Sequence, residues 1–182
     1  MSKKLTSRDK LLDVTFEEVY RFGYCGAGTA TILKKAGVPR GSMYHHFPSK
    51  KAMVIAMIEE RLIPKIRDFF EFKIKKSSTG LELVNEVMGK LSKNKMLVTH
   101  GCPLHRLMFE MDALDSDIAL LCSAEFEHLS ENLQKILLFG MRDGSIREMD
   151  AKNLAEFIIS STWGILSKPA VCSSEEQFLR DS

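Results

Sequence analysis

The sequence predicts an all-α protein, with a small N-terminal three-helix domain built round a helix-turn-helix and a larger helical domain after it. Three observations predict this. Apolar residues recur at 3.6-residue spacing in one segment after another. Val, Ile and Thr never gather in the alternating runs that mark strands. Glycines, prolines and capping residues fall where those helices should start or stop. The chain has 182 residues, 45% hydrophobic and 27% charged, so it is long enough to bury a core and too apolar for a disordered protein. Its longest nearly apolar run, Met53–Ile58, is far short of the ~20 residues that span a bilayer, so no contact with a membrane is expected. The N-terminus meets polar residues in place of a signal core, and four cysteines without a Cys-x-x-Cys pair fit neither a disulfide scaffold nor a zinc ribbon. A cytoplasmic chain is the expectation.

Leu11, Leu12, Thr15, Phe16, Val19 and Phe22 share one face of a first helix, capped by Thr6 or Ser7 and stopped by Gly23. A short helix follows over about Thr29–Ala36, stopped by Gly37. Pro39 suits the first turn of a third helix ending near His46. Pro48-Ser49 breaks the chain and caps a fourth, running from Lys50 to about Ile63, where Pro64 should end or kink it. Ser77–Gly80 reads as a linker. Helical periodicity returns near 81–97, 103–113, 117–140 and 151–167, with a turn at Asp143-Gly144-Ser145 between the last two. The domain boundary is expected at 48/49, giving domains 1–48 and 49–182.

Charge is uneven along this path. Residues 1–51 carry a net +6 and the remainder −4, and no carboxylate occurs from Val19 to Ile58. A polyanion could approach that stretch without meeting fixed negative charge. Within it, the turn Ala36-Gly37-Val38 between two short helices has the spacing of a helix-turn-helix, whose second helix enters a major groove. Arg40 reaches a base edge or phosphate, and Gly41 lets the backbone approach. Ser42, Tyr44 and His45 offer hydrogen bonds, Met43 and Phe47 face inward, and Lys50 beside the Ser49 cap suits a phosphate. On residue types alone the same corner could be purely structural.

The run Ala36-Gly37-Val38-Pro39-Arg40-Gly41-Ser42-Met43-Tyr44-His45-His46-Phe47, with Gly23-Tyr24, Ile32 and Ser49-Lys50-Lys51, resembles the DNA-binding region of the TetR family of transcriptional regulators over about residues 8–55. The resemblance implies an all-helical homodimer that binds double-stranded palindromic operator DNA, usually as a repressor. It implies a C-terminal ligand-binding and dimerisation domain, with a small hydrophobic or electrophilic inducer releasing the DNA, and a bacterial cytoplasm with nucleoid association when bound. Two departures are visible: Ala27-Gly28 stand where the family often places Thr, and Leu33 replaces a frequent alanine.

In the second domain the resemblance puts dimer-pairing helices near 118–141 and 150–168. Leu121, Leu129, Leu133, Ile136 and Leu137 could line one face and Ser160, Ser161 and Gly164 another, or the leucines could be intrachain core. Met108, Met111, Phe126 and Trp163, with Phe69, Phe70, Phe72, Met88, Met96 and Phe109, are candidates for an apolar ligand pocket or for ordinary core. His100-Gly101-Cys102-Pro103-Leu104-His105 places Cys102 at a helix start, where the dipole and a protonated His100 or His105 would favour the thiolate. That hexapeptide reads as a buried structural cysteine, a reactive sensor thiol, or a metal site unlike established ones. No metal or cofactor is expected. Gly101-Cys102, Glu110 and Trp163-Gly164…Lys168 partly resemble an electrophile- and oxidant-sensing branch of the family, in which Lys168 could capture an oxidised Cys102; His105-Arg106 depart from it. Two other classes stay open: a non-specific architectural DNA binder, and a thiol-dependent enzyme using Cys102 and His105.

Overall fold

Among residues 5–72 and 77–167, which the computed structural model describes, all regular structure is helical. Helix α1 (Ser7–Gly26) opens on a capping box, Thr6 Oγ1 accepting from the Asp9 N–H at 3.1 Å while the Asp9 carboxylate accepts from Thr6 N–H. Gly23, expected to stop it, kinks it instead: φ is 72° there, and one more turn forms before the N–H of Ala27 closes onto the Gly23 carbonyl. Helix α2 (Thr29–Ala36) stops at Gly37 in the left-handed conformation (φ 63°, ψ 33°), and α3 (Arg40–His46) follows Pro39. Ser49 caps α4 (Lys50–Met57) by accepting from the Ala52 N–H at 3.0 Å.

The effect of Pro64 is felt upstream. Proline offers no N–H to the carbonyl four residues back, that of Glu60. The helix therefore widens into a π turn over Ile58–Leu62, where the Ile63 N–H reaches the Ile58 carbonyl, and it continues as α5 (Ile63–Phe69). The Glu60 carbonyl accepts from the Arg61 guanidinium at 3.3 Å. The rest comprises α6 (Gly80–Lys93), α7 (Lys95–His100), α8 (Pro103–Asp112), α9 (Ser116–Arg142) and α10 (Ala151–Leu166). The single helix expected over 81–97 is broken at Asn94, whose side chain accepts from the Leu97 N–H and so starts α7.

The chain forms two compact units. The first joins residues up to Ile66 with Arg106–Leu120; the second joins Arg67–His105 with the chain from Leu121 onward. Met53, Val54, Met57 and Ile58, which follow the boundary expected at 48/49, are buried in the first unit with Leu11, Leu12, Val19, Ile32 and Met43. Helix α1 packs against α2, α3, α4 and the π turn. Arg61 ties the π turn to α1 through Asp9 (2.9 Å) and Asp13 (2.7 Å). Glu18 is 3% exposed and is neutralised by Lys35 of α2 at 2.6 Å.

In the second unit α6 and α9 approach until a Cβ on Gly80 would lie 2.3 Å from the Gly140 Cα. The 143–145 turn caps that end of α6, Asp143 accepting from the Gly80 N–H and Ser145 from the Leu81 N–H. Leu137, Ala151 and Ala155 are buried beside it. Leu129 and Ile136 are buried too, so these three of the residues expected at a dimer face are core within the chain.

Candidate nucleic-acid interface

The left-handed Gly37 turns the chain sharply between α2 and α3, and α3 is too short to bury more than one edge. Met43 and Phe47 fill that edge, at 1% and 3% exposure. Arg40, Gly41, Tyr44 and His45 are exposed on the remainder, with Ser42 half-buried, so the expected set lies on one short helix. The Arg40 guanidinium sits 5.7 Å from the Tyr44 ring centre and donates to its hydroxyl at 3.4 Å, which stiffens two long side chains in water. Gly41 has nothing within 4 Å of where a Cβ would stand, so intrachain packing does not call for a glycine there. The far end of α3 is fixed by a 2.8 Å hydrogen bond between His46 Nε2 and Ser7 Oγ of α1.

Lys50 departs from the expected picture. Its ammonium donates to the Tyr24 carbonyl at 2.5 Å and lies 4.5 Å from the Tyr24 ring centre, and burial lowers its pKa. One of its three donors thus serves the α1 kink. Lys51 pairs with Asp115 (2.8 Å) and Asp117 (2.6 Å), carboxylates that the local sequence leaves out of the basic stretch. Two more residues of the first unit were not legible as partners of α1. Glu110 accepts from the Tyr24 and Cys25 N–H groups, at 2.7 Å each, and Arg106 donates to the Tyr20 and Arg21 carbonyls at 3.1 and 3.0 Å. More than 80 residues separate each pair, a distance over which periodicity and caps carry no signal.

The candidate sensor residues lie in the second unit, apart from Lys168, which is outside the described residues. Backbone N–H groups of Leu104 and His105 do favour the Cys102 thiolate, as a helix start should, but burial outweighs them and pushes the thiol pKa up. Burial also lowers the pKa of His105, which stacks on Trp163 (5.1 Å between ring centres), so His105 supplies no positive charge to the thiol at neutral pH. The depressed thiol pKa expected from the sequence is therefore reversed. Cys122, buried near Cys102, is pushed up to about 12. Gly101 is held at φ 77° with the Leu166 carbonyl 2.7 Å from where a Cβ would stand.

An apolar cavity of about 40 Å³ is lined by Phe70, Phe72, Val87, Leu91, Leu129, Leu133, Ile159, Thr162 and Trp163. Of the expected pocket residues Phe70, Phe72 and Trp163 line it, and Phe126 stacks on that tryptophan at 3.9 Å. Met108 and Met111 belong to the first unit, where Met111 is buried. An open cleft of about 570 Å³ shares Phe70, Phe72 and Leu129 with the cavity and adds Arg67, His128, Asn132 and Lys135.

Residues 11–57 match the family described as bacterial regulatory proteins, tetR family. The nucleoid occlusion factor SlmA of Alteromonas mediterranea is 31% identical over 140 residues, 75% of this chain and 69% of that protein. The chain belongs to the TetR family of bacterial regulatory proteins. As a TetR-family member it is a DNA-binding transcriptional regulator. The HTH-type transcriptional repressor DhaR of Mycobacterium sp. (strain GP1) is 28% identical over 167 residues, 86% of this chain and 80% of that one. An HTH-type regulator of Lactococcus lactis is matched over 65% of its own length. The reduced form of E. coli NemR shares the fold, with a TM-score of 0.83, 21% identity, and coverage of 97% of this chain and 94% of that one.

Proposed function

We propose that this TetR-family regulator is a homodimeric repressor that reads operator DNA with α3 and is released by a small apolar molecule bound in its second unit. The observation that carries the reading is the division of α3: Met43 and Phe47 anchor it while Arg40, Gly41, Ser42, Tyr44 and His45 face outward. Arg40 is the base reader, and Tyr44, His45 and Ser42 position the helix on phosphates. Phe157, Ser160, Ser161 and Gly164 form an exposed stripe on α10 at helical spacing, suited to a second copy. The cavity walled by Trp163 holds little as it stands, so an inducer would have to open it towards the neighbouring cleft.

Release through Cys102 is the second reading, and the raised pKa of its thiol weighs against it. The experiment is selection of bound duplexes from a random-sequence pool, followed by release assays with apolar compounds and, separately, with a thiol-reactive electrophile. A palindromic consensus and release by an apolar compound are the expected results. Enrichment of no sequence would overturn operator binding. Release by electrophile that disappears in Cys102→Ser would replace the apolar inducer with a thiol switch.

A further inference from the structure

The kink in α1 leaves two opposite poles a few residues apart. At Gly23 the backbone leaves the helical conformation (φ 72°, ψ −176°), so the end of the first segment presents the carbonyl pole of a helix and the short turn after it the N–H pole. Helix α8 meets both. Arg106 donates to the carbonyls of Tyr20 and Arg21, and Glu110, four residues on, accepts from the N–H groups of Tyr24 and Cys25 with one oxygen each. Residues four apart stand one above the other on a helix face, about one turn's rise, so a cation and an anion at that spacing fit the two poles in the right order. Gly23 is shaped to the clamp as well: a Cβ there would stand 2.4 Å from Glu110 Oε2. Lys50 completes it from α4, donating to the Tyr24 carbonyl.

We propose that Arg106 and Glu110 are positioning residues for DNA recognition: by gripping both sides of the Gly23 kink they fix the last turn of α1, and with it where α2 and α3 begin. The turn over residues 24–26 runs directly into Gly28 and α2, so its direction sets the placement of the helix-turn-helix. Neither residue touches DNA. This rests on the operator-binding reading above.

The test compares the full-length protein with Glu110→Ala, Glu110→Gln and Arg106→Met. Hydrogen exchange of the Tyr24 and Cys25 amides is read by NMR, and affinity is measured for a duplex that the unmodified protein selects from a random pool. Expected are exchange of those two amides at least tenfold faster in Glu110→Ala, and operator affinity about tenfold lower, with intermediate values for Glu110→Gln, which keeps one acceptor oxygen. The dependence of affinity on salt should stay unchanged, since no phosphate contact is lost. Glu110→Gln and Arg106→Met carry the test if Glu110→Ala fails to fold. Amide exchange and affinity both within twofold of the unmodified protein would overturn the proposal. Faster exchange with unaltered affinity would reduce the clamp to a structural contact and overturn its positioning role. If the unmodified protein selects no sequence, operator reading fails and the proposal with it, while the exchange data still report on the clamp by themselves.

Discussion

Arg40 and Lys50 are ten residues apart in one basic stretch, and the first unit uses them differently. Arg40 is exposed and, among the described residues, braced by Tyr44, a neighbour on the same exposed helix face, so truncating it should leave the core of the fold intact. Arg40→Ala should relax base preference at one operator position by about 1–3 kcal/mol and leave the unfolding midpoint unchanged. Duplex selection repeated on the variant, beside a urea titration, checks both parts. Lys50→Ala also removes the partner of the Tyr24 carbonyl at the kink, so it should cost about 1–3 kcal/mol of stability as well as DNA affinity. A Lys50 variant with an unchanged urea midpoint would return that residue to a simple phosphate contact. Local residue chemistry made the outward set on α3 legible, because exposure on a short helix follows from spacing. The roles of Glu110 and Arg106 were not legible, since their partners depend on how distant segments pack.

At the scale of elements, the helices were readable from caps and periodicity, and the departures have specific causes. Gly23 bends a helix where the sequence suggests an end, because Glu110 takes over the freed N–H groups. Asn94 ends one helix and caps the next through its own side chain. Pro64 is absorbed by a π turn before it. The glycines divide on similar lines. Gly37 needs only its left-handed conformation, with nothing within 4 Å of a Cβ, so Gly37→Ala should cost about 1 kcal/mol. Gly80 has ordinary conformational freedom but sits against the Gly140 backbone, so Gly80→Ala must push α6 and α9 apart and should cost about 3 kcal/mol or more. Chemical denaturation of the two variants, side by side, should reproduce that order; equal losses would contradict the packing argument.

For the molecule as a whole, stability should fall off on both sides of neutrality. Asp9, Glu60 and Asp115 in the first unit, and Glu82 and Asp143 in the second, have pKa values lowered by hydrogen bonds to Thr6, Arg8, Lys51, Thr79 and Ser145 in turn. Each binds its proton more weakly folded than unfolded, so its contribution is complete above its ordinary value, 3.8 for Asp and 4.5 for Glu, and is lost as pH falls through that range. His105 is also lowered, from 6.5, so the second unit should weaken first on acidification, beginning near pH 6.5. Cys102 and Cys122 run the other way. The folded state holds thiol protons that the unfolded chain releases above its ordinary 9.0, and stability should decline as pH rises past that point. Unfolding followed by tyrosine and tryptophan signals from pH 3 to 10.5 checks the profile, and a flat response between pH 6.5 and 5 would contradict the burial of His105.

The cavity wall has a further consequence. Trp163 is the only tryptophan in the chain, it is 6% exposed, and it touches both the cavity and the rings of Phe126 and His105. The protein therefore carries one tryptophan fluorophore, separable from its three tyrosines by excitation at the red edge, at the site proposed for the inducer. Its emission reports occupancy of the second unit without any label, while operator binding is followed independently on the DNA.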